Sequence, residues 1–285
     1  MKRYTLILTL ISFLSFADAG QFKIIDDGGN GAFKSIALSD PAFENYVVYR
    51  PQNIKAAVKK EGPLPVVIFA NGGCNDTSFP FEHMLSEIAS HGYIVIALGA
   101  MQTSLDDRIL NKSPNIMMTK AVDLLTKQTK DKTSDYFQSA NMKHIAFAGQ
   151  SCGGAQVLAL AAEPRIKTYM MFNSGMGDMT MANASRKSLS VIHAPIIYLV
   201  GGESDIATAN ALLDYDRIDN TSVAFANHLS AGHSGTFEEP YGGSFSRMAL
   251  KWLDWQLKQK LVNKRVFLNK ELDDFPEWTM KSKHF

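Results

Sequence analysis

The chain has 285 residues, 46% of them hydrophobic, with 29 basic and 28 acidic side chains and a formal net charge of +1. So even a balance offers no electrostatic case for nucleic-acid binding. The length suits a single α/β domain able to bury a large core.

The N-terminus carries the features of an export signal. Lys2 and Arg3 supply positive charge, Leu6 to Phe16 an apolar core, and Ala17-Asp18-Ala19 a small-residue cleavage pattern. We expect cleavage after Ala19, giving a signal peptide over 1–19, a single catalytic domain over 20–285, and a secreted or periplasmic protein. An uncleaved anchor is the alternative, although the apolar run is shorter than the about 20 residues that span a bilayer. No later segment is long and apolar enough to be a transmembrane segment.

Further along, apolar runs alternate with segments of helical period, without repeats, low-complexity tracts or linkers. This alternation predicts an α/β fold with a mostly parallel central sheet covered by helices on both faces. Tyr46 to Tyr49 reads as an outer strand and Val66 to Ala70 as an inner one. Phe81, Met84, Leu85, Ile88 and Ala89 recur at helical spacing, and Gly92 stands where a C-terminal cap belongs. Tyr93 to Leu98, His144 to Ala148, Tyr169 to Phe172 and Ile196 to Val200 are near-continuous hydrophobic runs, as strands buried on both faces require. A helix is expected from about Gly154 to Ala162. Val223 to Ala226 is a second outer strand, and Phe245, Ala249, Trp252, Leu253, Gln256 and Leu257 mark a last amphipathic helix.

Between the third inner run and the helix after it lies Gly149-Gln150-Ser151-Cys152-Gly153. The pattern holds one serine at a sharp strand-to-helix turn, where a serine hydrolase keeps its nucleophile. Alone it is weak, since 20 glycines in 285 residues give a chance expectation of roughly 0.1 such matches at near-average glycine usage. A serine hydroxyl also needs a neutral imidazole to take its proton and a carboxylate to orient that imidazole. Asp205 follows a strand through Gly201-Gly202-Glu203-Ser204, at the sheet edge where open α/β sheets place their sites. His233 lies in a glycine-flanked loop before the last helix. Ser, Asp, His is the order of the α/β-hydrolases. His228 competes with His233; Asp178, Asp214, Asp216 and Asp219 compete with Asp205; and a helix N-cap is the plain alternative for Ser151.

Acyl transfer also requires donors for the oxyanion. One expected donor is the backbone N–H of Cys152, the residue after the nucleophile; the other comes from the loop Asn71-Gly72-Gly73-Cys74-Asn75, whose glycines let the backbone bend its amides towards a ligand, with an ordinary turn as the alternative. If both amides aim at one oxygen, the cysteine side chains are near neighbours. In an exported protein that makes Cys74 and Cys152 a disulfide candidate, with buried free thiols as the alternative.

These residues resemble the α/β-hydrolase superfamily. The run from Phe69 to Leu98, the Gly149 to Gly154 elbow and the Gly232-His233 loop are most similar to secreted cutinase-like, chlorophyllase-like and dienelactone-hydrolase-related serine esterases. The resemblance implies a triad of Ser151, Asp205 and His233, an oxyanion hole lined by Gly73 or Cys74 and by Cys152, and no metal or organic cofactor. Departures withhold the substrate. Gln150 and Cys152 replace the residues that polyester-degrading relatives carry around the serine, Ser151 replaces the cysteine of dienelactone hydrolases, and Asn71-Gly72-Gly73-Cys74 replaces a His-Gly-Gly-Gly loop.

The segment 173–194 is too short for a large lid, so an open cleft is expected. Phe79, Met176 and Phe237, with Met179 and Met181, are candidates for an apolar substrate-binding wall, against plain packing as the alternative. The sequence reading is thus a serine hydrolase that cleaves small-molecule or polymeric carboxylic esters through an acyl-enzyme. An acyltransferase or amidase on the same residues is the runner-up, and a catalytically silent binding module the remoter alternative. Oligomeric state and the role of the segment after Lys260 stay open.

Overall fold

A computed structural model describes residues 20–102, 104 and 111–285; the expected signal peptide over 1–19 lies outside the described residues. Among the described residues ten strands form one sheet. In chain order they are β1 (Phe22–Lys23), β2 (Ser35–Leu38), β3 (Tyr46–Pro51), β4 (Leu64–Ala70), β5 (Ile94–Leu98), β6 (Ala140–Gln150), β7 (Ile166–Phe172), β8 (Ile196–Val200), β9 (Val223–His228) and β10 (Trp278–Lys283). The spatial order is β1-β2-β3-β5-β4-β6-β7-β8-β9-β10. β5, β4, β6, β7, β8 and β9 run parallel, whereas β1, β2 and β3 on one side and β10 on the other pair antiparallel. This is the mostly parallel α/β sheet expected from the sequence.

The parallel strands are buried along their apolar runs because helices cover both faces, and alternate side chains therefore enter opposite cores. Val66, Ile68 and Ala70 of β4 pack with residues of α1 (Ile54–Glu61), α3 (Ile116–Gln128), α4 (Cys152–Ala159) and α5 (Thr208–Arg217). Val67 and Phe69 face α2 (Glu82–Ser90), α6 (Gly243–Gln256) and α7 (Lys264–Leu268). Within the second core the Trp252 indole N–H donates to Thr168 Oγ1 at 2.7 Å, tying α6 to β7. The helix after the elbow begins two residues earlier than expected, at Cys152, and ends at Ala159.

The segment after Lys260 packs on the domain. Val266 and Phe267 of α7 are buried in the second core, and the chain returns as β10 in register with β9, Trp278 opposite His228. Trp278 is buried against Phe245 and His228, and its indole N–H donates to Ser244 Oγ at 2.6 Å. The sequence Trp-Thr-Met-Lys-Ser-Lys buries Trp278 and Met280 while Thr279 and Lys281 face solvent. That is the period of a half-covered edge strand.

Trp278→Ala removes a buried aromatic together with its hydrogen bond, and should lower the unfolding free energy by about 3–5 kcal/mol. Denaturant titration measures this, and a loss under about 1 kcal/mol would mean that β10 adds little to the domain.

Candidate active site

The C-terminal ends of β4, β6, β7, β8 and β9 bring together residues far apart in sequence. Ser151 stands between β6 and α4 with φ 51° and ψ −116°, a left-handed backbone that costs a non-glycine residue about 1–3 kcal/mol and persists only where its surroundings over-determine it. Here they do. The Ser151 N–H donates to the Phe172 carbonyl at 2.9 Å, and the Ser174 hydroxyl donates to the Ser151 carbonyl at 2.8 Å. The flanking glycines are required by space: a Cβ at Gly149 would lie 2.4 Å from the Gly153 carbonyl, and one at Gly153 would lie 2.1 Å from the Ala70 oxygen.

Ser151 Oγ lies 3.0 Å from His233 Nε2, and His233 Nδ1 lies 2.7 Å from Asp205 Oδ1. Asp205 is buried, and four donors meet its carboxylate. Ala207 N–H and the imidazole address Oδ1, while Gly201 N–H and Asn173 Nδ2 address Oδ2 at 2.9 and 2.8 Å. Burial pushes the Asp205 carboxyl up, but the hydrogen bonds from His233, Ala207, Asn173 and Gly201 together outweigh it, and the group sits below its ordinary value. It is a carboxylate facing a ring N–H, the arrangement that holds the other ring nitrogen as an acceptor towards a hydroxyl.

Of the competing residues, His228, Asp178 and Asp214 are engaged elsewhere, and Asp216 and Asp219 are exposed at the end of α5 and just beyond it. His228 packs against Trp278 and Phe245, and its Nδ1 accepts from Ser230 N–H at 3.2 Å. Burial pushes its imidazole below the ordinary value against the opposing pull of Glu277 and Glu239. Asp178 pairs with Arg217 at 2.9 Å. Asp214 is buried under the 174–178 turn, where it accepts from Met176 N–H at 2.6 Å and Gly177 N–H at 2.9 Å; burial raises it to about 6 despite those bonds.

Beside the serine, Asn71 to Asn75 forms a single tight turn closed by Cys74 N–H to the Asn71 carbonyl and Asn75 N–H to the Gly72 carbonyl, both at 3.1 Å. The Cys74 amide is thereby spent and is not free to meet an oxyanion, a correction to its candidacy. Gly73 remains, because amides at the start of a helical turn have no acceptor within it, and Cys152 opens α4 in the same way. The cysteine side chains do meet: Cys74 and Cys152 form a disulfide, their Cα atoms 5.1 Å apart across 78 residues of sequence. Asn71 Nδ2 donates to the Leu98 and Asn75 carbonyls and Lys112 Nζ to the Gly73 carbonyl, so the turn is held from three sides.

The cleft over Ser151 has a volume of about 280 Å³, lined by the Gly72-Gly73 turn, Pro80, Phe81, Gln150, the His233-Ser234 loop, Phe237 and Glu238. Of the expected wall residues only Phe237 is there. Phe79 turns away and lies under Lys23, whose Nζ is 4.6 Å from the ring centre. Met176 is fully buried in the first core because Asp214 draws its turn inward. Sequence reasoning missed Phe81, Gln150 and Asn173. The Gln150 side-chain amide donates to the His233 carbonyl at 3.0 Å, and Asn173 Nδ2 reaches the Gly232 carbonyl at 3.0 Å, so both brace the histidine loop. Their position at strand ends, in Gly149-Gln150-Ser151 and Phe172-Asn173, was the available signal. Among the described residues no cluster of three or more His, Cys, Asp or Glu side chains could hold a metal ion, and no helix is long and apolar enough to cross a membrane.

A family model described as Chlorophyllase matches residues 28–178, slightly more than half of the chain, including the 71–75 turn, the elbow and Asn173. No curated protein matches the chain.

The Cys74 to Cys152 bridge closes a long loop and should contribute about 4 kcal/mol in the chain-entropy model. The double variant Cys74→Ser with Cys152→Ser is expected to lose most of that in denaturant unfolding; a loss under about 1 kcal/mol would show that other contacts suffice to hold the turn.

Proposed function

The chain belongs to the chlorophyllase family of the α/β-hydrolase superfamily, and from that premise we propose that it is a serine esterase cleaving carboxylic esters through an acyl-enzyme on Ser151. The observation that carries this reading is the pair of distances 3.0 Å from Ser151 Oγ to His233 Nε2 and 2.7 Å from His233 Nδ1 to Asp205 Oδ1. A nucleophile, a base and a group orienting the base are then all within hydrogen-bond reach.

In the proposed reaction Ser151 Oγ attacks the ester carbonyl carbon while its proton passes to His233 Nε2. The carbonyl oxygen becomes an oxyanion met by the amides of Gly73 and Cys152, donors of a kind worth roughly 3–4 kcal/mol each. Collapse breaks the bond to the leaving alkoxide, which takes the proton from His233 and departs as the alcohol. A water then gives its proton to His233, attacks the acyl carbon, and releases the carboxylic acid with Ser151 restored. Asp205 keeps its charge throughout and stabilises the imidazolium in each half.

We further propose that the protein acts outside the cytoplasm, as a single domain over 20–285 freed of its leader. The Cys74 to Cys152 disulfide supports this, because such bridges persist in oxidising compartments.

Ser151→Ala should abolish turnover of p-nitrophenyl esters and labelling by a fluorophosphonate probe while leaving the fold intact by circular dichroism. Turnover within tenfold of wild type in this variant would overturn the assignment of the nucleophile.

A further inference from the structure

The floor of the cleft limits what can be turned over. Phe81 and Phe237, which close it, are not loose surface rings. Phe81 packs on Phe69 with ring centres 5.1 Å apart and on Phe237 at 5.3 Å; Phe237 packs on Phe172 at 5.9 Å and on Phe245 at 5.2 Å. Each contact is tilted or edge-to-face, the arrangement in which neighbouring rings block one another's rotation. Phe69 and Phe172 belong to β4 and β7, so the floor is anchored on the sheet itself.

The side wall is equally fixed. Gln150 is buried, and its amide is held at one end by the His233 carbonyl, which needs a donor and so orients the group. At the other end its Oε1 packs so closely on Gly72 that a Cβ there would lie 2.2 Å away. The wall therefore cannot swing aside to admit a longer chain without releasing the histidine loop.

Within this frame about 280 Å³ is open above Ser151. At about 30 Å³ for each water-sized group, that volume holds about nine non-hydrogen atoms. An ester oxygen, a carbonyl oxygen and an acyl chain of about six carbons fill it. Glu238 adds an exposed carboxylate at the rim, which disfavours an anionic tail.

Resting on the ester hydrolysis proposed above, the geometry points to small, uncharged esters with an acyl part of two to about six carbons as the substrate class. Burial of each methylene raises kcat/KM roughly threefold to fourfold while the chain still finds apolar floor. Beyond that length, added carbons meet the fixed Phe81 and Phe237 rings and the braced Gln150, so the ester is displaced from Ser151 Oγ and kcat/KM falls.

The test is a series of p-nitrophenyl esters from two to sixteen acyl carbons, kept below their aggregation limits and assayed with wild type, Phe81→Leu and Ser151→Ala. Wild type is expected to peak at four to six carbons and to fall at least tenfold in kcat/KM by twelve. Phe81→Leu, which trims the floor without emptying it, is expected to move the peak to longer chains. Equal or faster turnover of the twelve- or sixteen-carbon ester by wild type overturns the size limit while leaving ester hydrolysis standing. An unchanged profile in soluble, folded Phe81→Leu overturns the assignment of the floor. Absence of turnover at every length, with no labelling of Ser151, would remove the esterase reading and this inference with it.

Discussion

A carboxylate taken out of water has to be met by donors, since the desolvation cost remains several kcal/mol even after the surroundings relax. Asp205 is met by four, and each arrives from a different part of the chain: Asn173 from the end of β7, Gly201 from the end of β8, Ala207 from the turn entering α5, and His233 from the loop after β9. Satisfying one buried charge thus fixes the relative positions of the loops that build the site. It also determines which ring nitrogen of His233 faces Ser151. The same loops are braced a second time by neutral groups, Asn173 to the Gly232 carbonyl and Gln150 to the His233 carbonyl. With the carboxylate met four times the network rigidifies the sheet edge, at the cost of Asn173 Oδ1, which lies buried without a hydrogen-bond partner.

The other half of the site is rigid for a different reason. Ser151 sits in left-handed backbone geometry that glycine packing on either side makes possible and hydrogen bonds at both its N–H and its carbonyl maintain. The disulfide at the next residue then joins the first turn of α4 to the 71–75 turn. The two amides proposed to hold the oxyanion are therefore joined covalently through Cys74 and the disulfide to Cys152. Such preorganisation lets donors stabilise developing charge without first having to move.

Much of this was legible in the sequence. The inner strands announce themselves because burial on both faces demands unbroken apolar runs, as in Val66 to Ala70 and Ile196 to Val200. Ser151, Asp205 and His233 stand in recognisable contexts of strand, glycine and polar residue. What escaped depends on three-dimensional neighbours that no local pattern encodes. Phe79 is covered by Lys23, 56 positions earlier, and Met176 is pulled into the core by Asp214, 38 positions later. The Cys74 amide is spent in closing its own turn. Gln150 and Asn173 find partners 83 and 59 positions away. The edge strands β1 and β10, and β2 beside β1, carry too few apolar residues to stand out, because β1 buries neither of its residues and β2 and β10 bury only alternate ones.

The central claim is that a buried carboxylate acting through His233 makes Ser151 a nucleophile. Asp205→Asn keeps the size of the side chain but replaces the charge and allows the wrong ring nitrogen to carry the proton. The direct measurement is kcat and KM of that variant on a short-chain p-nitrophenyl ester, with folding verified by its thermal transition. The account predicts a fall in kcat of about 10⁴ with KM little changed; a kcat within tenfold of wild type would contradict it.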